Sequence, residues 1–492
     1  MRDLLLGVDL GTTSTKLVVV EPGRGVLAAD SLPVELHSPR AGWAEADTRE
    51  WWSNVCALVP RVAKQAGIPA SDIGAVAASG MVPAVVPVDA EGRALRRAIL
   101  QNDARAVDEI DQLAARLADT DLLALTGSAL TQQSVAPTLV WLATHEPDIW
   151  RRTTAVLGSY DWLARALGAD VHVESNWALE SGLYTLEGEL AGVVVDAALV
   201  SAEKLPSPAR PGSVVGAVGA AAAEATGLAA GTPIVVGGAD HVLSAYAAGL
   251  TDPGDWLVKL GGAGDILAVT VDRLLDPRLY LDEHPVPGRW LPNGCMATSG
   301  SMLRWVQRLV GDVSLELLDK EAEKRAAASL VCQPYFLGEK SPLHDPDLRG
   351  SFVGLHLGHD RADVYRSCLE AIAYGFRQHT EIFAERGVRL GLGRVTNGGS
   401  RSMLWKRILA DVLGRPLYPV TDHPGAALGA AAAAGVGTGV FSDWAEGAGV
   451  VRLGSPVEPT GETAYEEGYQ MYLDLQDRLR DTSHRLAARS RE

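Results

Sequence analysis

The stretch LLLGVDLGTTSTKLVVV, residues 4–20, places two short apolar runs on either side of a turn rich in Gly, Thr and Ser. The runs are partly β-branched, and they predict two strands joined as a hairpin. Gly11 permits a tight turn, while the hydroxyls and amides of Thr12 and Thr13 supply donors for an anion. The turn therefore predicts a phosphate site, with an ordinary polar hairpin turn as the alternative.

Two charged residues border this turn. Lys16 adds a positive charge beside the expected phosphate. Asp9 carries a negative charge, which would repel a phosphate unless a cation such as Mg²⁺ stood between them. We therefore expect Thr12, Thr13 and Lys16 to contact phosphates and Asp9 to organise Mg²⁺.

Length and composition restrict the class of protein. A chain of 492 residues predicts two to four domains. Its hydrophobic content of 47% and charged content of 21% exclude a wholly disordered chain. The formal net charge of −17 disfavours nonspecific nucleic-acid binding. Four widely spaced cysteines without a CxxC pair disfavour a structural zinc site and a disulfide framework.

Neither a membrane span nor a secretion signal is predicted. The N-terminus lacks the basic region and long apolar core of a signal peptide. The most membrane-like stretch, residues 425–440, is short and interrupted by Gly, which predicts a packed helix. We therefore expect a soluble, cytoplasmic protein that binds no membrane.

Strands and helices are mixed along the chain, and this predicts a layered α/β fold. Strand-like runs recur at 75–78 and 84–88. Asp47 and Glu50 have the spacing of a capping box, which predicts a helix beginning near Thr48.

A second hairpin opens the later part of the chain. Residues 256–271, WLVKLGGAGDILAVTV, again place a Gly-rich turn between two apolar runs. Two such hairpins favour two similarly built domains, with a ligand in the cleft between them. The segment 247–254 contains Gly, Pro and Asp, so we predict an N-terminal domain of residues 1–246 and a C-terminal domain of residues 247–492.

The first hairpin resembles the phosphate loop shared by sugar kinases, actin and heat-shock chaperone ATPases. Four further stretches resemble one branch of that superfamily, the FGGY carbohydrate kinases, and in pattern they are most similar to xylulokinases. Any one stretch alone is a weak signal, whereas four in the family's order are specific. In chain order they are AGWAEADTREWW at 41–52, PIVVGGADHVLSAY at 233–246, YFLGEKSPLHDPDLRGSFVGL at 335–355 and NGGSRSMLWKRILADVLGRPL at 397–417.

The resemblance implies a fold of two ribonuclease H-like domains, of the actin and sugar-kinase type, around a central cleft. It implies an enzyme that uses ATP and Mg²⁺ to phosphorylate a ketose or polyol, and it also implies a homodimer. Two other interpretations stay open. A chaperone-like ATPase would explain the first loop, and a sugar-binding regulator derived from a kinase would explain an altered sugar segment.

The resemblance also implies roles for individual residues. Asp240, at the end of the GGAD turn, matches the family's catalytic base, with a helix N-cap as the alternative role. His241 beside it is expected to pack or cap. Two glycine-rich turns are implied to contact the nucleotide, the first through Gly261, Gly262 and Gly264 and the second through Gly398, Gly399 and Ser402. The first turn lacks a threonine found in many relatives, which leaves phosphate contacts to backbone amides.

The segment expected to meet the sugar departs from the xylulokinase pattern. SGMVPAVVPVD at 79–89 has Met, Val and Pro where SGQMHGLVLLD has Gln, Met and His. An apolar wall discriminates weakly among sugar hydroxyls, so D-xylulose is predicted to be a poor substrate. The residues expected to border the substrate are Trp43, Met81, Val82, Asp103 and Arg105.

Overall fold

The computed structural model describes residues 3–40, 42–421, 423–449 and 451–489. The chain divides into two compact units. The first comprises Met1–Thr251, Leu281–Arg289 and His423–Val451, and the second comprises Asp252–Tyr280, Trp290–Asp422 and Arg452–Glu492. The domain boundary expected between residues 246 and 247 stays a prediction. Each compact unit consists of three separate segments of the chain.

Strands and helices are mixed throughout the described residues, as the sequence predicts. The strands are β1 (Leu4–Leu10), β2 (Ser14–Glu21), β3 (Gly25–Pro33), β4 (Glu45–Ala46), β5 (Ile73–Gly80), β6 (Val86–Val88), β7 (Ala98–Ile99), β8 (Ala155–Leu157), β9 (Val173–Glu174), β10 (Pro208–Ala209), β11 (Val214–Ala217), β12 (Pro233–Ala239), β13 (Trp256–Leu260), β14 (Gly264–Ala268), β15 (Tyr280–Glu283), β16 (Trp290–Met296), β17 (Val331–Gln333), β18 (Ser351–Val353), β19 (Gly393–Thr396), β20 (Leu417–Thr421) and β21 (Arg452–Leu453).

The α-helices range from one turn to seven turns. They are α1 (Thr48–Ala66), α2 (Val107–Arg116), α3 (Leu122–Thr126), α4 (Val135–His145), α5 (Pro147–Arg152), α6 (Ser159–Leu167), α7 (Ser175–Ser181), α8 (Gly192–Ala197), α9 (Ala220–Thr226), α10 (Asp240–Ala247), α11 (Gly300–Leu309), α12 (Leu315–Ala322), α13 (Arg361–Glu385), α14 (Met403–Leu413), α15 (Ala426–Thr438), α16 (Trp444–Gly447) and α17 (Ala464–Arg489). Short 3₁₀ helices span Ala70–Asp72, Ala202–Lys204 and Gly398–Arg401.

The main sheet of the first unit has the strand order β11-β12-β5-β1-β2-β3. Strand β5 lies between β1 and β12 and is parallel to both, whereas the remaining neighbours are antiparallel. The register sets Leu10 opposite Gly80, and Gly80 opposite Ala239. The residues that follow these three strands therefore emerge side by side along one edge of the sheet.

Helix α15 covers one face of this sheet, and its small apolar residues form a buried cluster with Leu5 and Ala77. The helix lies so close to β1 that a Cβ at Gly7 would be 1.8 Å from the carbonyl oxygen of Ala427. The packed helix predicted at 425–440 is confirmed. In the described part of the chain, α15 included, every helix is too short or too polar to cross a bilayer.

The second unit contains the second predicted hairpin, with Leu260 opposite Gly264. Strand β13 is parallel to β19, and β19 is parallel to β20, while β14 runs antiparallel to β16. A buried core that includes Trp256, Phe376 and Trp405 packs between this sheet and the helices around it. Both predicted hairpins therefore form, and in each the first strand has a parallel neighbour.

Helix α1 begins at Thr48, where the sequence predicts it. Asp47 caps the helix by accepting a hydrogen bond from the Arg49 amide at 2.9 Å. The second half of the expected capping box is wrong, because the Glu50 carboxylate accepts a hydrogen bond from the Glu35 amide at 3.0 Å. Glu50 thus joins the helix to the chain that follows β3.

Replacement of Gly7 tests the close packing of α15 on β1. Gly7→Ala places a methyl group against the Ala427 carbonyl, and overpacking of this kind costs about 1–3 kcal/mol or more. We expect a lower thermal unfolding midpoint by differential scanning fluorimetry. Gly192→Ala is the control, since a Cβ there meets no atom within 4 Å, and its unfolding midpoint should stay close to that of the parent. Equal midpoints for Gly7→Ala and the parent would contradict the packing.

Candidate functional site

The carboxyl edge of β1, β5 and β12 gathers residues that the sequence singled out separately. Asp9 lies near the end of β1, Met81 follows β5, and Asp240 follows β12. The Met81 amide donates to the Leu10 carbonyl at 3.2 Å, which continues the strand pairing past the end of β5. Neighbouring strands are about 4.8 Å apart, so the ends of β1 and β12 are about 10 Å apart. Asp9 and Asp240 therefore share one edge of the sheet.

Asp9 lies directly opposite Lys16 in the β1–β2 hairpin. Burial lowers the pKa of Lys16, and the charge of Asp9 opposes that shift. The Lys16 ammonium donates to the Pro424 carbonyl oxygen at 2.5 Å, so it is engaged by backbone. Mg²⁺ bound with a nucleotide takes one or two carboxylates and completes its shell with water and phosphate oxygens. Asp9 is half-buried and lies beside a turn that carries hydroxyls and amides. Its carboxylate can therefore serve as such a ligand.

Thr12 and Thr13 lie in the turn between β1 and β2. The Gly11 amide donates to the Ser14 carbonyl at 3.0 Å, and the Val34 amide donates to the Thr13 carbonyl at 3.0 Å. Thr13 is exposed and Thr12 is half-buried. The turn is thus held on both sides by backbone hydrogen bonds, and its conformation is fixed before any anion binds.

Asp240 is the first residue of α10, and Ala239 occupies the N-cap position. Asp240 is therefore not the N-cap of α10, which was its alternative role. Its side chain is 37% exposed at the amino end of the helix, where the helix dipole favours a carboxylate. The site thus presents an accessible carboxylate beside the ends of β1 and β5.

An ionic cluster surrounds the imidazole of His241. The Nε2 atom lies 2.7 Å from Asp282 and 4.0 Å from Glu180, and the Nδ1 atom lies 3.6 Å from an oxygen of Asp240. Burial would lower the pKa of His241, but the surrounding carboxylates outweigh it and raise that pKa well above its ordinary value. Burial, reinforced by Asp282, raises the pKa of Glu180.

The sequence missed this cluster, because Asp282 is 41 residues from His241 and no local motif marks either partner. The packing or capping role expected for His241 accounts for neither contact. The side-chain N and O atoms of Glu180, His241 and Asp282 lie within 4.8 Å of one another. Among the described residues, these three have the spacing that a metal site would need.

The residues expected to border the sugar fall into two groups. Met81 and Val82 are almost fully buried, and the Ser159 hydroxyl donates to the Met81 carbonyl at 3.0 Å. They form an apolar wall at the sheet edge. Trp43 is half-buried and belongs to the second group, with Asp103 and Arg105.

Arg105 stacks over the ring of Trp43, with 3.8 Å between the guanidinium carbon and the ring centroid. Its guanidinium also pairs with Asp103 at 2.7 Å and with Glu45 at 2.8 Å. Asp103 in turn accepts a hydrogen bond from the Ala44 amide at 2.5 Å. The Arg105 side chain has no exposed surface, so in this structure Asp103 and Arg105 hold Trp43 in place.

In the second unit, the glycine turn between β13 and β14 is joined to the start of α11. The Ser299 amide donates to the Gly262 carbonyl at 2.8 Å, and the Gly300 amide donates to the Gly261 carbonyl at 2.9 Å. A Cβ at Gly264 would lie 2.8 Å from the Phe376 ring, whereas one at Gly262 would meet no atom within 4 Å. Gly264 is therefore required by packing, and Gly262 leaves room for a ligand.

The second glycine turn lies next to the first, because β13 is parallel to β19 and Lys259 pairs with Thr396. A Cβ at Gly399 would lie 2.4 Å from the Trp405 ring, but one at Gly398 would meet open space. The Ser402 hydroxyl caps α14 by accepting a hydrogen bond from the Trp405 amide at 3.0 Å. Thus Gly399 and Ser402 have structural roles, and Gly398 lines open space.

Comparisons with known proteins agree over almost the whole chain. The family model described as the FGGY family of carbohydrate kinases, N-terminal domain, matches residues 4–247, and the corresponding C-terminal domain matches residues 273–438. A solved xylulose kinase from Rhodospirillum rubrum is 40% identical, with a TM-score of 0.91 over 98% of this chain and 100% of that chain.

Two relatives from Escherichia coli (strain K12) are less similar in sequence. Its xylulose kinase is 29% identical over 87% of this chain and 89% of its own length. The L-xylulose/3-keto-L-gulonate kinase of the same strain is 27% identical over 96% of this chain and 97% of its own length. The relatives thus share their length with this chain and differ in the sugar that their names give.

Replacement of Asp9 tests its predicted place beside Mg²⁺ and phosphate. Asp9→Ala should raise the Mg²⁺ concentration needed for half-maximal ATP turnover, and excess Mg²⁺ should restore part of the rate, because a carboxylate ligand is lost. The measurement is turnover against Mg²⁺ at fixed ATP. Glu21→Ala, at the far end of β2, is the control and should behave as the parent. An unchanged Mg²⁺ dependence in Asp9→Ala would reduce Asp9 to a turn residue.

Proposed function

The chain belongs to the FGGY family of carbohydrate kinases, and we propose that it transfers the γ-phosphoryl group of ATP to a hydroxyl of a pentulose-like ketose or a polyol. The observation that carries the proposal is the shared edge of β1, β5 and β12. That edge places an accessible carboxylate, Asp240, beside a preformed turn of hydroxyls and amides. The 40% identity to a solved xylulose kinase supports an acceptor of the pentulose class.

In the proposed reaction, Asp240 accepts the proton of the acceptor hydroxyl. The hydroxyl oxygen forms a bond to the γ-phosphorus, and the bond between that phosphorus and the β–γ bridging oxygen breaks to release ADP. Phosphoryl transfer has a loose transition state, so positioning and charge neutralisation contribute more to the rate than the base does. Mg²⁺, held with ATP at Asp9, would supply part of that neutralisation.

We assign the nucleotide contacts within each unit separately. In the first unit, the amides and hydroxyls of Thr12 and Thr13 bind phosphate oxygens. Lys16 adds positive charge beside them while its ammonium bonds to backbone. In the second unit, the contacts proposed are Gly261, Gly262 and Gly264 for phosphate, and Gly398, Gly399 and Ser402 for adenosine. Backbone supplies most of these contacts, since Gly264, Gly399 and the Ser402 hydroxyl are already engaged in packing or capping.

For the sugar, we propose that Trp43 and the wall of Met81 and Val82 border the acceptor, with Asp103 and Arg105 acting through Trp43. A cytoplasmic location, where ATP is supplied, and a homodimer are further proposals drawn from the family.

Asp240→Asn tests the proposed base, because it keeps the size of the side chain and removes its basicity. Turnover with the best sugar should fall by about 10²–10⁴-fold, while the affinity for ATP changes little. ADP release measured by a coupled assay and nucleotide binding measured by calorimetry separate the two effects. Near-normal turnover in the variant would rule out Asp240 as the base.

The apolar wall predicts the substrate preference. Val82 and Pro83 stand where the xylulokinase pattern has Met and His, and they cannot offer the side-chain hydrogen bonds of that pair. Another ketose or a polyol should therefore exceed D-xylulose in kcat/KM. Sugar-dependent ADP release would be compared for D-xylulose, L-xylulose, D-ribulose, L-ribulose, erythritol and glycerol. A tenfold preference for D-xylulose, equivalent to about 1.4 kcal/mol, would contradict the prediction. Release of ADP without dependence on any sugar would favour the chaperone-like ATPase, and sugar binding without ADP release would favour the regulator.

A further inference from the structure

We propose that His241, held by Asp282, is a positioning residue whose positive charge keeps the carboxylate of Asp240 ionised and oriented for proton transfer. This inference rests on the proposed role of Asp240 as the base. It assigns a function to the ionic cluster of Glu180, His241 and Asp282, which the phosphoryl transfer described above leaves unused.

The geometry places the imidazole between two carboxylates. The Nε2 atom donates to Asp282 at 2.7 Å, and the Nδ1 atom lies 3.6 Å from an oxygen of Asp240. Both ring nitrogens carry a proton only in the charged form of histidine. The charged ring therefore presents an N–H to Asp282 and another to Asp240. Because the Asp240 side chain is 37% exposed, it has room to turn and close the remaining distance.

The partner carboxylate is itself fixed in position. The side chain of Asn176, on α7, binds the backbone on both sides of Glu283, donating to its carbonyl at 2.9 Å and accepting from its amide at 2.6 Å. Arg210 pairs with the Glu283 carboxylate at 2.6 Å. The residue before it, Asp282, is thereby held against α7, the helix that also carries Glu180. The cluster is a rigid support for the imidazole.

The charges around the imidazole favour its protonated form. Asp240 on α10, Asp282 on β15 and Glu180 on α7 all lie within 4.0 Å of a ring nitrogen. Helix α15, which packs on α10, contains no ionisable residue, and β5 and β12 contain none either. The other ionisable groups near this edge are His423, which hydrogen-bonds Ser244 of α10, and the pair of Asp9 and Lys16. A neutral ring would leave Asp282, which is almost fully buried, without a counter-charge.

A positive charge at this distance makes Asp240 easier to keep ionised. An opposite charge within about 4–6 Å favours the ionised form of a carboxyl group, and the Nδ1 atom of His241 lies 3.6 Å from Asp240. The base is then deprotonated before the sugar binds, and its orientation is set by the N–H of His241.

The test is the pH profile of kcat/KM for the full-length enzyme with its best sugar. His241→Asn removes the positive charge that favours the ionised base, so the acidic limb should move to higher pH by about one unit. His241→Lys retains a positive charge and should keep the limb near its position in the parent. Asp282→Asn keeps the histidine but removes the carboxylate that orients its ring, so kcat/KM should fall while the acidic limb stays below that of His241→Asn.

A matched control is available in the second unit, where His484 pairs with Asp345 at 2.8 Å. His484→Asn removes a histidine–carboxylate pair outside the proposed site. The acidic limb of the pH profile for this variant should coincide with that of the parent. An unshifted limb in folded His241→Asn, with turnover normal or uniformly reduced, would overturn the inference and leave the proposed function intact. Full turnover in Asp240→Asn would instead overturn the proposed function. If His241→Asn fails to fold, His241→Gln, which also lacks the positive charge, takes its place, and an unshifted limb in that variant overturns the inference.

Discussion

Parallel pairing of β1 and β12 with β5 is the constraint on which the site of the first unit depends. The pairing aligns the carboxyl ends of three strands that are distant in sequence, so that Asp9 and Asp240 share an edge. The register of β12 shifts between Val235 and Gly238, and a Cβ at Gly237 would lie 1.8 Å from the Ala78 carbonyl oxygen. Such an irregularity re-aims the residues that follow it. Asp240 begins α10 directly after this irregular segment.

Electrostatics impose a second constraint on this acidic chain. With a formal net charge of −17, the protein needs local positive charge or hydrogen-bond donors wherever a phosphate binds. Two cations of the first unit, Lys16 and Arg105, are engaged within the protein. Lys16 donates to a backbone carbonyl, and Arg105 pairs with Asp103 and Glu45. In the proposed function, backbone amides, hydroxyls and Mg²⁺ therefore carry most of the phosphate charge.

The residues proposed to border the acceptor combine a fixed aromatic ring with an apolar wall. Arg105 is buried against Trp43 and bonded to two carboxylates, so the indole is held by a network that leaves little freedom of movement. Met81 and Val82 are buried beside the sheet edge and add shape without hydrogen-bonding groups. Selectivity among sugar hydroxyls then needs polar groups other than these two side chains.

The sequence by itself determined the hairpins, the α/β class, the start of α1 and the packed helix at 425–440. Each of these depends on local turn chemistry or on the period of apolar residues, which a short window contains. Family motifs also predicted a base at Asp240 and nucleotide contacts at both glycine turns, and these roles stay predictions. Tertiary structure alone decided that the Glu50 carboxylate accepts from Glu35, that Arg105 faces inward, and that Ser402 caps a helix. It also brought Glu180 and Asp282 to His241, because partners in an ionic cluster are chosen by strand order and helix packing, which residue spacing does not encode.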